Sequence, residues 1–356
     1  MSTGTRRESE AGRLGSPGLV IGLLGPTGVG KTAVAVELAA RLLSVGRPSN
    51  SEQGPQAGSP RARARIISCD SMQIYRRFPV LTNQPLADAC AEIRHDLVGF
   101  LEPGQEFSAA AYAQQARPLI VEDLAAQGWA LVVGGTGLYM RAALAPLAVA
   151  AEKDPALRAQ LEAQAVSQGP EVLHEELAAV DAEAARAIDP RNIRRVLRAL
   201  EVVKTTGKAW SGRSDLWAPV YEHPTLVVGL VVAREELYRR IDARAEATVR
   251  GGAVEEVRRF RACRGHEATR PGLPGICSAI GYAEICRLLA GEQDVSDTVA
   301  QVAAATRRYA RRQLTWLRKL KDAVIIDTQD RSPGEVAQEI LALVLSRDEA
   351  GEHGNS

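Results

Sequence analysis

A three-layer α/β fold on a parallel sheet, interrupted by an all-helical insertion, follows from three features of the sequence. The apolar run Leu19-Val20-Ile21-Gly22-Leu23-Leu24 leads directly into Gly25-Pro26-Thr27-Gly28-Val29-Gly30-Lys31-Thr32, and a helical pattern over Ala33 to Leu43 follows at once. Strand, glycine-rich loop and helix in that order make a phosphate-binding loop, so the architecture is P-loop nucleoside-triphosphatase-like. Further short apolar runs alternate with helical patterns, as the crossovers of a doubly wound sheet require. Between Pro146 and Leu226 no strand pattern occurs, and the intervening chain reads as helices alone.

Leu19 to Leu24 and Arg65 to Cys69 are the first two strands, apolar runs of the kind buried on both faces of a parallel sheet. His95 to Phe100, Ala130 to Val133, Leu226 to Val232 and Val324 to Ile326 are expected to complete it. Ser108 stands where a hydroxyl can accept from the free N–H groups of a first helical turn, and so caps a helix over Ala109 to Gln127. Leu, Val and Ala recur at helical spacing over Ala156 to Gln168, Glu171 to Val180, Ala182 to Ile188 and Asn192 to Thr205. A late helix over Thr306 to Lys321 gathers Ala310, Leu314, Leu317 and Leu320 into one apolar stripe. The segment 46–63, rich in Ser, Pro, Gly and Gln, reads as a flexible connection. The expected organisation is a disordered tail (1–17), a catalytic core (18–149), a helical insertion (150–222), the rest of the core (223–346) and a second disordered tail (347–356).

With 356 residues, 46% hydrophobic and 24% charged, the chain can bury a sizeable core. Its formal net charge of +1 gives no global attraction to nucleic acid, so any such surface must be a local patch. Five cysteines without paired spacing fit a reducing cytoplasm. Cys263 and His266 form a lone Cys-x-x-His with no second pair at finger spacing, so no zinc site is expected. No apolar run approaches the ~20 residues of a membrane span, and the N-terminal stretch lacks the apolar core of a secretion signal.

Gly25, Gly28 and Gly30 let the loop turn tightly with its N–H groups inward, Lys31 adds a point charge, and the helix start adds its dipole. Thr32 is placed to offer a hydroxyl to Mg2+ shared with bound phosphates. The second strand ends in Asp70-Ser71-Met72-Gln73, a carboxylate at the edge where such sheets bind ligands. Asp70 is either a magnesium-holding aspartate of a kinase or ATPase, or a base. The next strand end, Gly134-Gly135-Thr136-Gly137, offers no second carboxylate to position a water or phosphoryl acceptor, so a diphosphate here would be held rather than cut.

Two basic clusters stand out. Arg191, Arg194, Arg195 and Arg198 recur at spacing that places them on one helical face, as an RNA surface or as a solvated face paired with Glu201. On the late helix Arg308, Arg312 and Lys319 lie opposite the apolar stripe, flanked by Arg307, Arg311 and Arg318. Such a helix suits RNA phosphates or a membrane surface, and Tyr309 or Trp316 could stack on a base.

Six ordered segments resemble tRNA dimethylallyltransferases (tRNA isopentenyltransferases) of the bacterial type: GPTGVGKT at 25–32, DSMQIY at 70–75, GGTGLY at 134–139, RRVLRALEV at 194–202, AIGYAE at 279–284 and TRRYARRQLTWLRK at 306–319. The resemblance implies that residues 25–32, from Gly25 through Pro26, Thr27, Gly28, Val29, Gly30 and Lys31 to Thr32, hold dimethylallyl diphosphate. It implies that the acceptor is the exocyclic amine of the adenosine 3′ of the anticodon. Asp70 would take the amine proton, with Lys31 and Thr136 assisting. Ser71, Met72, Gln73, Arg158, Arg194, Arg195, Arg198, Arg308 and Arg312 would meet the tRNA anticodon loop. Arg244 is either a second diphosphate clamp or an ordinary surface arginine. A cytoplasmic monomer needing Mg2+ is expected. Two other functions fit fewer segments: an adenylate isopentenyltransferase acting on free AMP, ADP or ATP, and a small-molecule kinase.

Overall fold

The computed structural model describes residues 18–45, 64–85, 93–146, 154–211, 220–264 and 275–353, with side chains to 347. The tail at 1–17, the connection at 46–63, Cys90 and His266 lie outside the described residues. The chain divides into two units: 1–144 with 221–356, and Ala145–Val220.

In the larger unit six strands form one sheet in the order β3-β2-β4-β1-β5-β6. They are β1 (Leu19–Leu24), β2 (Ala64–Cys69), β3 (Ile93–Asp96), β4 (Trp129–Gly134), β5 (Thr225–Val231) and β6 (Val324–Asp327). Every pair is parallel. β1 and β4 are buried along their whole length, which explains why their sequences are continuous apolar runs rather than alternating ones. Leu24 and Cys69 both stand level with Gly134, so β1, β4 and β2 end on one line. Whatever follows those three ends is brought together at the carboxyl edge.

Helix α1 (Lys31–Val45) lies against the sheet, and the last helix packs on it: Leu38 and Leu42 share one core with Ile340 and Val344. Ser108 caps α2 (Ala109–Gln127), its hydroxyl accepting from Ala111 N at 3.1 Å. Helices α3 (Gly137–Leu144), α8 (Arg234–Thr248), α9 (Val254–Arg264), α10 (Tyr282–Leu289), α11 (Val295–Leu317) and α12 (Pro333–His353) complete this unit. Between α8 and α9 a π-helical turn over Val249–Ala253 contains Gly252 at φ 129°, a backbone that bends the two helices apart. A second core of Phe78, Val257, Tyr282 and Ile285 ties the chain after Asp70 to α9 and α10.

Three boundaries differ from expectation. β3 spans Ile93–Asp96 rather than 95–100, because Leu97 and Gly99 take positive φ (60° and 58°), which no strand accommodates. α11 spans Val295–Leu317 rather than Thr306 to Lys321, starting where Asp294 caps it by accepting from Asp297 N. α12 runs to His353, into the stretch expected as a disordered tail, since Arg347, Glu349 and Ala350 are good helix formers.

The smaller unit holds α4 (Pro155–Gln168), α5 (Pro170–Val180), α6 (Ala182–Ala187) and α7 (Ile193–Thr206). Leu161, Leu173, Leu177, Val196 and Leu200 form its core. Asn192 caps α7 by accepting from Arg195 N at 3.3 Å, so Arg191 falls outside the helix. Its guanidinium turns back on Asp189 instead of joining a helical arginine face.

Candidate active site

The phosphate loop bridges β1 and α1 as its sequence requires, with Gly28 and Gly30 at φ 89° and 101°, where a side chain would be strained. The N–H groups of Gly28, Gly30, Lys31 and Thr32 have no acceptor among the described residues, so they form an open row of donors at a helix start. Val29 N closes a turn on Pro26 O, and Thr27 points both of its polar groups at the protein. Thr27 N donates to Gln313 Oε1 at 2.8 Å, and its hydroxyl accepts from Arg244 Nη2 at 2.5 Å. Thr27 is thereby tied to both α8 and α11 while still lining the cleft.

Lys31 Nζ donates to Gly25 O and Pro26 O, both at 2.9 Å. Burial pulls its pKa from 10.5 down to about 8, against the attraction of Asp70. Arg244 reaches the loop from α8; burial lowers its pKa, and Asp70 opposes that shift. Its guanidinium is held on the Thr27 hydroxyl rather than left to solvent alone. Three groups, Lys31, Arg244 and the open row of amides, thus present positive charge at one spot.

Asp70 follows β2 directly. Its Oδ1 accepts from Met72 N at 2.9 Å and Gln73 N at 3.4 Å, which folds Ser71, Met72 and Gln73 into a turn. Oδ2 has no partner among the described residues. Thr136 follows β4, and its hydroxyl accepts from Ser71 N at 3.1 Å. Gln73 is not among the cleft-lining residues and donates to Asn83 O, which is one of them, at 2.7 Å. A cleft of about 210 Å³ opens here, lined among others by Thr27, Asp70, Met72, Arg244, Tyr309 and Arg312. Its lining also includes the apolar Leu81, Ile241, Ala279, Ile280 and Val302.

Four arginines of α11 divide sharply, while Arg318 and Lys319 fall beyond its last residue, Leu317. Arg307 pairs with Asp242 and Arg311 donates to Tyr238, so both are committed to α8. Arg308 is exposed with no ion pair among the described residues, and Arg312 lines the cleft with its guanidinium 5.5 Å from the centre of the Tyr309 ring. The Trp316 ring lies against Gly137, where a Cβ would stand 2.5 Å from it, so this indole packs rather than waiting for a base. Tyr309 faces the cleft, and burial beside the Asp70 charge holds its phenol well above the usual range.

In the helical unit Arg158 and Arg198 converge on one buried carboxylate: Glu201 accepts from them at 3.2 and 3.0 Å. Arg194 and Arg195 are exposed and make no ion pair among the described residues. The paired reading holds for half of this cluster and the open one for the other half. Among the described residues no cluster of three or more His, Cys, Asp or Glu could hold a metal ion, and no helix is long and apolar enough to cross a membrane. Sequence reasoning missed Gln313. The signal was present, since Gln313 sits three residues after Ala310 on the apolar arc of α11, where an amide needs a partner.

Comparison with known proteins agrees with this arrangement. The family described as IPP transferase matches residues 73–320. A tRNA dimethylallyltransferase of Thermomicrobium roseum is 38% identical over 303 residues, covering 85% of this chain and 84% of its own. Another, of Anaeromyxobacter dehalogenans, is 40% identical over 309 residues and covers 85% and 92%. The crystal structure of a full-length tRNA isopentenylpyrophosphate transferase from Bacillus halodurans superposes with a TM-score of 0.64 at 31% identity, over 94% of this chain and 98% of that one. A eukaryotic dimethylallyltransferase acting on tRNA, at 24% identity and a TM-score of 0.75, shares the fold over 94% of this chain and 80% of its own. With a six-stranded parallel sheet, a phosphate loop level with Asp70 and Thr136, and relatives of this identity along most of its length, the chain belongs to the IPP transferase family, that of the tRNA dimethylallyltransferases.

Proposed function

We propose that the protein, a tRNA-prenylating transferase by family, moves the dimethylallyl group of dimethylallyl diphosphate to the exocyclic N6 amine of the adenosine 3′ of the anticodon, giving N6-(dimethylallyl)adenosine. The observation that carries this reading is the alignment of three strand ends: a cationic cradle after β1, a carboxylate oxygen after β2 with no partner among the described residues, and a hydroxyl after β4, all at one edge. The amine nitrogen attacks the first prenyl carbon while the bond from that carbon to the diphosphate oxygen breaks. Negative charge grows on the departing diphosphate, and Lys31, Arg244 and the open loop amides stabilise it. Asp70 takes the amine proton through Oδ2, held in place by the two amides on Oδ1. The apolar lining of Leu81, Ile241, Ile280 and Val302 suits the hydrocarbon end of the donor.

Mg2+ fits the site in one respect. Thr32, at the start of α1, has a hydroxyl with no partner among the described residues, and magnesium bound through one protein oxygen, waters and substrate phosphates needs no carboxylate cage. When bound it would neutralise diphosphate charge. For the acceptor, Arg194, Arg195, Arg308 and Arg312 are the open cations suited to phosphates, and Arg158 and Arg198 present a fork anchored on Glu201. Extruding a stacked adenine costs a few kcal/mol, which contacts at Met72, Tyr309 and Arg312 are placed to offset. We take the protein to act as a monomer in the cytoplasm.

Transfer of radiolabelled prenyl from dimethylallyl diphosphate to total tRNA, AMP and ADP tests the assignment. Label is expected in tRNA alone, at the adenosine 3′ of the anticodon after nuclease digestion. Equal labelling of AMP would favour the adenylate enzyme, and phosphorylation of a small molecule by ATP would favour a kinase.

A further inference from the structure

Gln313 stands on the buried arc of α11, 6% exposed, between the hydrocarbon of Ala310 and Leu317. An amide in such a place must satisfy both its oxygen and its NH2 or lose stability. It does so across long stretches of chain. Oε1 accepts from Thr27 N at 2.8 Å, and Nε2 donates to Gly135 O at 2.9 Å. The fit is close: a Cβ on Gly135 would stand 2.0 Å from Nε2, so residue 135 must be glycine for the amide to lie there.

Both partners lead straight to reacting groups. Thr27 also receives Arg244, the second cation of the diphosphate cradle. Gly135 precedes Thr136, whose hydroxyl accepts from Ser71 N in the turn that fixes Asp70. On its own helix Gln313 follows Arg312, which lines the cleft. The side chain is not among those lining the cleft, yet it spans the loop that holds the leaving group and the turn that faces the acceptor.

We infer that Gln313 is a positioning residue for prenyl transfer, setting the phosphate loop against the Thr136–Asp70 side through its paired bonds to Thr27 and Gly135. This rests on the proposed reaction. A displacement of about 1 Å between donor and acceptor costs up to a hundredfold in rate, while the donors that bind RNA lie elsewhere on α11. Gln313 acts on geometry, so its loss must appear in the chemical step more than in tRNA docking.

Gln313→Leu preserves most of the volume and removes both bonds; Gln313→Glu keeps the acceptor for Thr27 N and loses the donor to Gly135 O. In Gln313→Leu the single-turnover rate with saturating tRNA and donor is expected to fall about tenfold to a hundredfold, and affinity for inorganic diphosphate severalfold, with the tRNA Kd unchanged within about twofold. Gln313→Glu sets a carboxylate oxygen against Gly135 O, so it should melt at a lower temperature but still in one sharp transition, and lose rate as well. Unchanged rates and diphosphate affinity in both variants would overturn the inference. So would parallel loss of rate, diphosphate binding and tRNA binding with a broadened melt in both, which marks a purely structural residue. Failure of the wild type to prenylate tRNA would remove the proposed reaction instead, and the diphosphate affinities of the folded variants would still report on the Thr27 brace.

Discussion

Raising the pH should weaken the grip on the diphosphate before it affects the acceptor. The Lys31 ammonium, held by two carbonyls at 2.9 Å, has its pKa brought from 10.5 to about 8 by burial, with Asp70 pulling the other way. A lysine lowered in this way is charged below about pH 8 and loses its charge as the pH rises through that value. It is about nine-tenths protonated at pH 7 and about one-tenth at pH 9. Arg244 stays charged throughout, so the loss assignable to Lys31 is about tenfold in affinity, or ~1.4 kcal/mol. The same shift makes the unfolding free energy rise with pH between about 8 and 10.5, because there the unfolded chain binds the extra proton. Calorimetric titration with inorganic diphosphate at fixed magnesium, at pH 7, 8 and 9, measures the effect. Repeating it in two buffers of different ionisation enthalpy should reveal proton uptake near and above pH 8, since a bound anion returns the ammonium to its charged form. Lys31→Arg should bind with no slope over this range. A tenfold loss that persists in Lys31→Ala, or a flat wild-type profile, would refute the argument.

Four further outcomes are expected. Asp70→Asn keeps an oxygen for Met72 N and so preserves the turn, but should lower single-turnover prenyl transfer by about 10² or more while tRNA binding stays within a few-fold. Thr32→Ala should raise the magnesium concentration needed for half-maximal transfer without altering tRNA affinity; an unchanged magnesium titration would remove Thr32 from that role. Glu256 accepts from Val80 N at 2.8 Å and Leu81 N at 2.9 Å, holding the segment that supplies Leu81, Thr82 and Asn83 to the cleft. Glu256→Ala should therefore cost about 2 kcal/mol in urea unfolding, with Glu256→Gln recovering roughly half. Neutralising Arg194, Arg195, Arg308 or Arg312 should reduce the slope of log K against log salt for tRNA by ~0.7 to 0.9 per lost phosphate contact, while Arg307→Ala, whose cation already serves Asp242, should change it less.

Local chemistry in the chain declared itself at once. The phosphate loop is a run of consecutive amides between a strand and a helix, so Gly25 to Thr32 carry their geometry in their own order, and the turn after Asp70 is set by a side chain reaching its own neighbours two and three residues on. The parallel sheet was legible for the same reason, because strands buried on both faces must be apolar throughout. Helix boundaries were less so: Arg191 lies in the right register for a helical face, yet the Asn192 cap starts α7 after it. What only the tertiary structure decided is which distant side chains complete the site. Arg244 on α8 and Gln313 on α11 both meet at Thr27, across 217 and 286 residues, and Glu256 crosses 176 to hold Val80. Nothing in the spacing of those residues encodes their partners. The pairing is fixed by where the sheet and the packed α8, α9 and α11 leave an unsatisfied N–H or carbonyl, and in a buried place such a group finds the polar side chain that reaches it.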